Sequence, residues 1–279
     1  MRDDALWRPH VGGLAWPTLL LLAVVIALTA VAWSGLVPLW AGGGMATLAA
    51  YLAFTVMHEA SHGNVHGSRR ELRWLGEACG WIASVTLFAP YPAFRVLHLR
   101  HHSHTNDPER DPDFFVAGSP AMAPLRCLTT IPRYYAEFLF GAASRSKAAK
   151  KERGALLVGL GLFVATAVGL SALGLWREVL ALWIAPALAA SAILAYFFDW
   201  LPHHPHRSRE RWHDTRAIDV GLLDAPLLGQ NLHLVHHLFP RVPFYRYRAV
   251  FEAARARIEA EGAPVVRLLG AARPVTEDS

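Results

Sequence analysis

Four long stretches of this chain carry no charged residue: 14–40, 42–57, 154–176 and 179–198. A helix needs about 20 apolar residues to cross about 30 Å of hydrocarbon. The first, third and fourth stretches reach that length or nearly so. The second reaches it if its helix continues to His62. The pattern therefore predicts transmembrane helices at about 14–40, 42–62, 154–176 and 179–201. They form two hairpins, turning near Ser34–Gly44 and at Arg177–Glu178. The first stretch is longer than the apolar part of a signal peptide, and no small-residue cleavage site follows it, so it reads as a retained span.

The intervening pattern is different in kind. Residues 74–90 are apolar but too short to span and carry Glu77, which predicts a re-entrant or interfacial segment. Residues 121–140 mix apolar positions with Arg126, Arg133 and Glu137, as in a helix lying on the membrane surface. Residues 246–261 alternate Arg, Glu and apolar residues at helical spacing. The expected fold is all-α and integral to the membrane: four spans, with a helical cap formed by 63–153 and 203–279. No repeat or second soluble domain is evident, so 1–279 reads as one domain.

Charge orients the spans. Of 27 Lys and Arg residues, 26 fall on one side of this topology and only Arg177 on the other. By the positive-inside tendency, both termini and the cap are cytoplasmic. The net charge of +5 then reflects contact with anionic lipid. No stacking or groove motif accompanies it, so no nucleic-acid partner is expected. Cys79 and Cys127 stand apart from each other and from any CxxC, and are read as reduced cytosolic thiols.

Composition changes the picture at one residue type. The chain has 15 histidines, and only His10 is remote from the others. HEASHGNVH places His58, His62 and His66 four residues apart, on one helix face. HLRHHSH holds His98, His101, His102 and His104. LPHHPH holds His203, His204 and His206. QNLHLVHHLFP holds His233, His236 and His237, and Pro240 is expected to end their helix. Two of these segments share the spacing HxxHH, which puts three imidazoles on one helix face. All four segments fall at the cytoplasmic mouth of the predicted spans and can converge in one layer.

Histidine-rich sites without nearby thiol argue against iron–sulfur and structural zinc centres. Nine candidates (His58, His62, His98, His101, His102, His203, His233, His236 and His237) are too many for one tetrahedral ion and suit two metal ions. His66, His104, His204 and His206 are expected to lie outside the ligand set. HEASH also matches H-E-x-x-H, with Glu59 as the general base of a zinc protease, but that reading leaves most of the histidines without a role.

The order HxxxH, HxxHH, HxxHH, with a further histidine upstream of the last box, resembles the membrane fatty-acid desaturase and hydroxylase superfamily over roughly residues 50–250. HHSHTNDPERDPDFF, FFDWLPHHPHRSRERW and LLGQNLHLVHHLFPRVPFYRY resemble the cyanobacterial-type β-carotene 3-hydroxylases within it. His204 stands where that subfamily usually has Arg. Carotenoid ketolases share the DPDF string and are near neighbours; acyl-lipid desaturases are more distant. The resemblance implies a di-iron, O2-dependent monooxygenase of a bacterial inner membrane, with zinc as a possible substitute in purified protein. It would hydroxylate β-ionone rings, taking β-carotene to zeaxanthin through cryptoxanthin. His203 matches the isolated histidine that completes a nine-histidine site. Asp199 matches a polar residue linked to metal through water in the acyl-CoA desaturases of the superfamily.

Ligating imidazoles need a partner on the other ring nitrogen. Asp113, Asp199 and Asn231 are the foremost candidates to stand behind the ligands. Asp107, Asp111, Asp214 and Asp219 are the other available acids. No haem, flavin or iron–sulfur segment is visible, so electrons are expected from a separate carrier, an acidic ferredoxin suiting the basic cytosolic face. The substrate, a carotenoid or lipid, would come from the bilayer.

Overall fold

The computed structural model describes residues 4–267. Helix α1 runs Trp16–Trp33 and α2 runs Leu39–Ser61. The turn between them contains Gly35 at φ +75°, a conformation that favours glycine. It is shorter than the expected Ser34–Gly44 loop, because GGG at 42–44 is absorbed into α2. Gly42 has a reason to be there: a Cβ would come within 2.9 Å of the Leu182 side chain and 3.1 Å of the Ala32 carbonyl oxygen.

Helix α3 (Arg73–Thr86) and helix α4 (Tyr91–His104) are bent by 102° at the break between them. This bend is the structural form of the apolar segment at 74–90. Two proline-containing positions, Pro90 at the N-cap and Pro92 in the first turn, suit the start of α4. The expected surface helix at 121–140 is split into Ala123–Cys127 and α5 (Thr130–Leu139).

Helix α6 spans Lys147–Leu170. Its start is capped by the Ser146 hydroxyl, which accepts from the Ala149 amide at 3.0 Å. Helical backbone then continues as far as His203, making a stretch of 57 residues. It is not straight. Gly174 has φ +91°, and the rings of Phe163 and Trp183 lie 6.1 Å apart. Twenty residues of straight helix would separate them by about 30 Å. The chain therefore folds back, with its break at Gly174, three residues before the expected Arg177–Glu178. The returning arm contains α7 (Ala185–Leu194), flanked by wide π-type turns at Leu180–Ile184 and Ala195–Trp200.

Three helical stretches are long and apolar enough to cross a membrane: Trp16–Trp33, Leu39–Ser61 and Lys147–His203. Their outward faces leave large apolar side chains uncovered, among them Leu20 (67% exposed), Val158 (64%) and Leu162 (61%). In water such a surface is a liability; against lipid it is the required contact.

The C-terminal part forms the cap. Strand β1 (Ala217–Asp219) pairs in parallel with β2 (Val265–Arg267), in register Ala217 with Val265. The sequence pattern did not predict this pair. Helix α8 (His233–Leu238) is only six residues long and ends at Phe239, before Pro240, as expected. The helix expected over 246–261 is broken into α9 (Tyr247–Ala253) and α10 (Arg255–Ala260). A core of Leu232, Leu234, Val235, Val250, Phe251 and Ile258 packs these short elements together.

Candidate metal centre

Nine histidines approach one another in two adjacent groups. His58, His62, His98, His102 and His236 form the first. His101, His203, His233 and His237 form the second. These are the nine residues singled out by spacing and resemblance. Neither group contains His66, His104, His204 or His206.

Helix geometry explains the division. At 3.6 residues per turn, position i+4 lies about 40° to one side of i, and i+3 about 60° to the other. An HxxHH box therefore splits naturally between two centres. On α4, His98 and His102 go to the first group and His101 to the second. On α8 the senses are reversed: His233 and His237 go to the second group, and His236 to the first. Helix α2 adds His58 and His62 to the first group, and the end of the last apolar arm adds His203 to the second.

The ring nitrogens converge. Nε2–Nε2 separations are 3.0 Å for His58–His236, 2.7 Å for His62–His98 and 3.2 Å for His98–His102. In the second group they are 3.1 Å for both His203–His233 and His233–His237. Metal–nitrogen bonds of about 2.1 Å at right angles would place neighbouring donors about 3.0 Å apart. The donor set thus fits two metal ions, each ringed by imidazole. The groups adjoin: the rings of His102 and His237 are 4.4 Å apart.

Burial sets the charge state of most of them, whereas at His101 the neighbouring Asp111 and Asp113 carboxylates outweigh burial and raise it to about pKa 10. Seven of the nine are buried, while His102 and His237 are half-buried. Desolvation holds His233 down at about pKa 3, and holds His236 and His237 well below the ordinary histidine value. Neutral imidazole is the ligating form.

The far nitrogens find partners unevenly. His101 Nδ1 donates to Asp111 Oδ1 at 2.8 Å, with Asp113 Oδ2 at 3.5 Å. This leaves His101 Nε2 free to ligate, in a carboxylate–histidine–metal relay. His203 Nδ1 donates to the Asp214 carbonyl at 3.0 Å. The Asp214 carboxylate stands 3.9 Å from His237 Nδ1, and burial raises it to about pKa 7. In the first group, His236 Nδ1 donates to Tyr247 Oη at 3.0 Å.

Of the foremost candidates behind the ligands, Asp113 lies beside His101 and accepts from the Tyr134 hydroxyl at 2.6 Å. Burial lifts Asp113 to about pKa 6. Asp199 lines a cavity next to the second group. Asn231 turns elsewhere: its amide nitrogen donates to the Ile218 carbonyl at 2.7 Å and to Asp224 at 2.6 Å. It braces the approach to His233 instead of meeting a ring. Asp107 and Asp219 likewise face arginines, Arg209 and Arg248. The direct partner of His101 is Asp111, which the spacing of DPERDPD does not distinguish from Asp113. Tyr247 has no sequence signal tying it to His236, eleven residues earlier.

Two asparagines fasten the layer. Asn64 Nδ2 donates to the Pro240 and Val242 carbonyls at 3.1 and 3.3 Å, joining the first box to the last. Asn106 Nδ2 donates to the Ser208 and Asp214 carbonyls, both at 2.7 Å, joining the second box to the chain after His203. Glu59 sits behind His58, fully buried, with its Oε1 3.9 Å from Nδ1 and an Asn64 amide contact at 3.4 Å. It faces away from the Nε2 convergence, where a protease base would be needed.

A cavity opens onto both groups. His58 and His98 of the first and His101 and His233 of the second reach its wall. The remainder is mostly apolar, including Phe54, Leu87, Phe94, Ile131, Leu194 and Phe198.

A model of the family described as "Fatty acid desaturase" matches residues 37–268. The chain is 32% identical over 222 residues to the dihydrorhizobitoxine desaturase of Bradyrhizobium elkanii, covering 68% of this chain and 60% of that protein. It is 30% identical to a β-carotene ketolase of Paracoccus sp., covering 69% of this chain and 71% of the ketolase. A zeaxanthin 4-ketolase of Chlamydomonas reinhardtii is 27% identical, with 75% and 43% covered. The chain thus spans less than two thirds of the length of the first and third of these relatives. Apolar helices of spanning length, imidazole clusters able to bind metal and a family match over most of the sequence converge on one assignment: this membrane protein belongs to the fatty acid desaturase family.

Proposed function

We propose that the chain is a di-iron, O2-dependent oxygenase of carotenoid β-ionone rings, with C3 hydroxylation as its reaction. The observation that carries this reading is the pair of imidazole groups, open on one side to an apolar cavity. Similarity to carotenoid ketolases supports the substrate class, and the hydroxylase-like strings around the boxes support the reaction. All nine clustered histidines are the proposed ligands, in one domain over 1–279. Four spans, folded back at Gly174, put both termini and the histidine layer on the cytoplasmic side of a bacterial inner membrane. The 26 to 1 division of basic residues supports that orientation.

Two bound irons would supply the activation of dioxygen. One oxygen atom enters a ring C–H bond and the other leaves as water, with two electrons and two protons provided from outside. The protein's own residues do the rest. Phe54, Phe94 and Phe198 exclude water and hold an apolar ring against the imidazole layer. Asp111 fixes the tautomer of His101, and the Asp214 carbonyl fixes that of His203. Electrons come from a separate ferredoxin-like carrier, for which the basic cytosolic face is suited.

Product analysis in a β-carotene-producing host tests this. Cryptoxanthin followed by zeaxanthin is the expected outcome. A second reading, ring ketolation, is favoured by the 30% identity to a β-carotene ketolase, and would appear as keto products. New acyl-chain double bonds with unaltered carotene would place the chain among the desaturases and overturn the carotenoid reading.

A further inference from the structure

His101 has one N–H at Nδ1 and two carboxylates within reach of it, Asp111 Oδ1 at 2.8 Å and Asp113 Oδ2 at 3.5 Å. The two are held differently. Backbone amides fix Asp111: the Asn106 N–H donates to Oδ2 at 2.8 Å and the Asp113 N–H to Oδ1 at 2.9 Å. The Asp113 carboxylate accepts one hydrogen bond among the described residues, from the Tyr134 hydroxyl to Oδ1 at 2.6 Å. That length suits a hydroxyl bonded to an ionised carboxylate. Asp113 is therefore shared between a phenol on α5 and the ring of a proposed ligand.

Tyr134, Asp113 and His101 all line the cavity. On α5, Tyr134 lies one turn from Thr130 and Tyr135 one turn from Ile131, and all four reach the cavity wall as one broad helix face. The Tyr135 hydroxyl donates to the Phe88 carbonyl, which fastens that face to the bend between α3 and α4. Phe88 is itself packed on Trp183, with ring centres 5.1 Å apart. The phenol of Tyr134 thus stands on a tethered helix, so a change in the cavity is taken up at the Asp113 carboxylate. A carboxylate on a cavity wall can be solvated from the cavity side. An apolar ring that displaces water removes that solvation and strengthens the remaining electrostatic contacts of the carboxylate. Its nearest side-chain donors are then the Tyr134 hydroxyl and the His101 N–H.

We propose that Tyr134 is a positioning residue: its hydroxyl restrains Asp113 from the His101 N–H, and a ring filling the cavity tips that balance toward His101. A second carboxylate drawn onto the N–H makes the imidazole a stronger donor to metal. Occupancy of the cavity is thereby signalled to the second histidine group through its member His101. The restraint rests on the two-metal reading above, and the ring that fills the cavity on the carotenoid reading.

Cobalt(II) tests the link without turnover. The full-length protein in detergent is loaded with cobalt under anaerobic conditions, and β-ionone binding is measured by equilibrium dialysis. The cobalt ligand-field bands and the rate of cobalt removal by a chelator are recorded with and without β-ionone. In the wild type, β-ionone should shift the bands and slow the removal of one cobalt about tenfold. In Tyr134→Phe, Asp113 has only His101 to turn to. The ring-free spectrum of that variant should resemble that of the β-ionone-bound wild type, and adding β-ionone should change neither bands nor removal. Asp113→Asn withdraws the charge and preserves shape. It should keep the ring-free spectrum whether or not β-ionone is bound, and it decides the question if Tyr134→Phe fails to fold. Both variants should bind β-ionone within about fivefold of wild type, which separates a lost signal from a lost cavity. A full response in either variant, or bound β-ionone that leaves the wild-type cobalt unchanged, overturns the proposal. Protein that takes up no cobalt overturns it together with the two-metal reading. If n-decane binds where β-ionone does not, and shifts the bands in the wild type alone, the link stands and the carotenoid reading falls. Binding of neither probe overturns both.

Discussion

The two histidine groups use the same ligand chemistry but are held differently. The second is backed by anions and carbonyls: Asp111 on His101, the Asp214 carbonyl on His203, and the Asp214 carboxylate near His237. The first has a phenol on His236, the buried Glu59 carboxyl 3.9 Å from His58 Nδ1 with no hydrogen bond between them, and aromatic neighbours elsewhere. Phe94 stacks on His98 at 5.2 Å and Phe54 on His58 at 5.6 Å. A carboxylate behind an imidazole raises its basicity, while a phenol or a hydrocarbon does so much less. Two metals bound here would therefore be inequivalent, the second seeing the more electron-rich ligands. One repeated motif, HxxHH, produces both environments because its two copies divide their histidines in opposite senses.

The largest expected effect comes from removing a ligand. His236→Ala should abolish oxygenation, a loss beyond the roughly 100-fold ceiling for outer partners, while the protein stays in the membrane fraction. Product formation measured beside membrane-fraction protein checks this; wild-type-like turnover would remove His236 from the site. Asp111→Asn comes next and sharpens the comparison. It should cost about 10- to 100-fold in metal retention, concentrated in one of the two ions. Metal remaining per chain after dialysis against a chelator reads the effect. Tyr247→Phe, the equivalent change in the first group, leaves the His236 Nδ1–H without its acceptor and should cost less, about fivefold. Equal losses from the two substitutions would erase the proposed asymmetry.

Acid tests the layer as a whole. His233 resists protonation down to about pH 3 in the folded protein because it is buried, whereas an unfolded histidine titrates near 6.5. Between those values the unfolded state binds more protons, so stability of the metal-free cap falls as pH drops from about 6.5 toward 3. Chemical denaturation at pH 7 and pH 5 measures it; a cap as stable at pH 5 would contradict the burial. The smallest effect is expected from His104→Ala, which lies outside both groups and should leave metal content unchanged.

How far this was legible in the sequence follows from the range of the forces involved. The ligand boxes are local: the four-residue spacing at the end of α2 and the HxxHH runs fix faces through helix geometry alone, so eight of the nine clustered residues are legible from spacing. His203 came by resemblance, since one histidine among three in LPHHPH has no periodicity to single it out. The outer partners depend on loop paths. Asp111 wins over Asp113 as the direct acceptor because the turn after His104 folds its carboxylate back, also capping the Asn106 and Asp113 amides at 2.8 and 2.9 Å. Asn231 has the right polarity, but β1 draws its amide away to the Ile218 carbonyl. The β1–β2 pair is not legible because three-residue strands carry too little pattern. The break falls at Gly174, three residues before Arg177–Glu178, because that charged pair marks a loop more loudly in the sequence than one glycine does.

The central claim is that two metal ions sit side by side in an all-imidazole layer. Iron X-ray absorption on protein loaded with ferrous ion under anaerobic conditions, with metal quantified per chain, tests it most directly. The account predicts two irons per chain, each with a nitrogen-only set of imidazole ligands from the protein, and a drop toward one iron when His203 and His233 are replaced together. A single iron per chain, or sulfur in the coordination sphere, would contradict it.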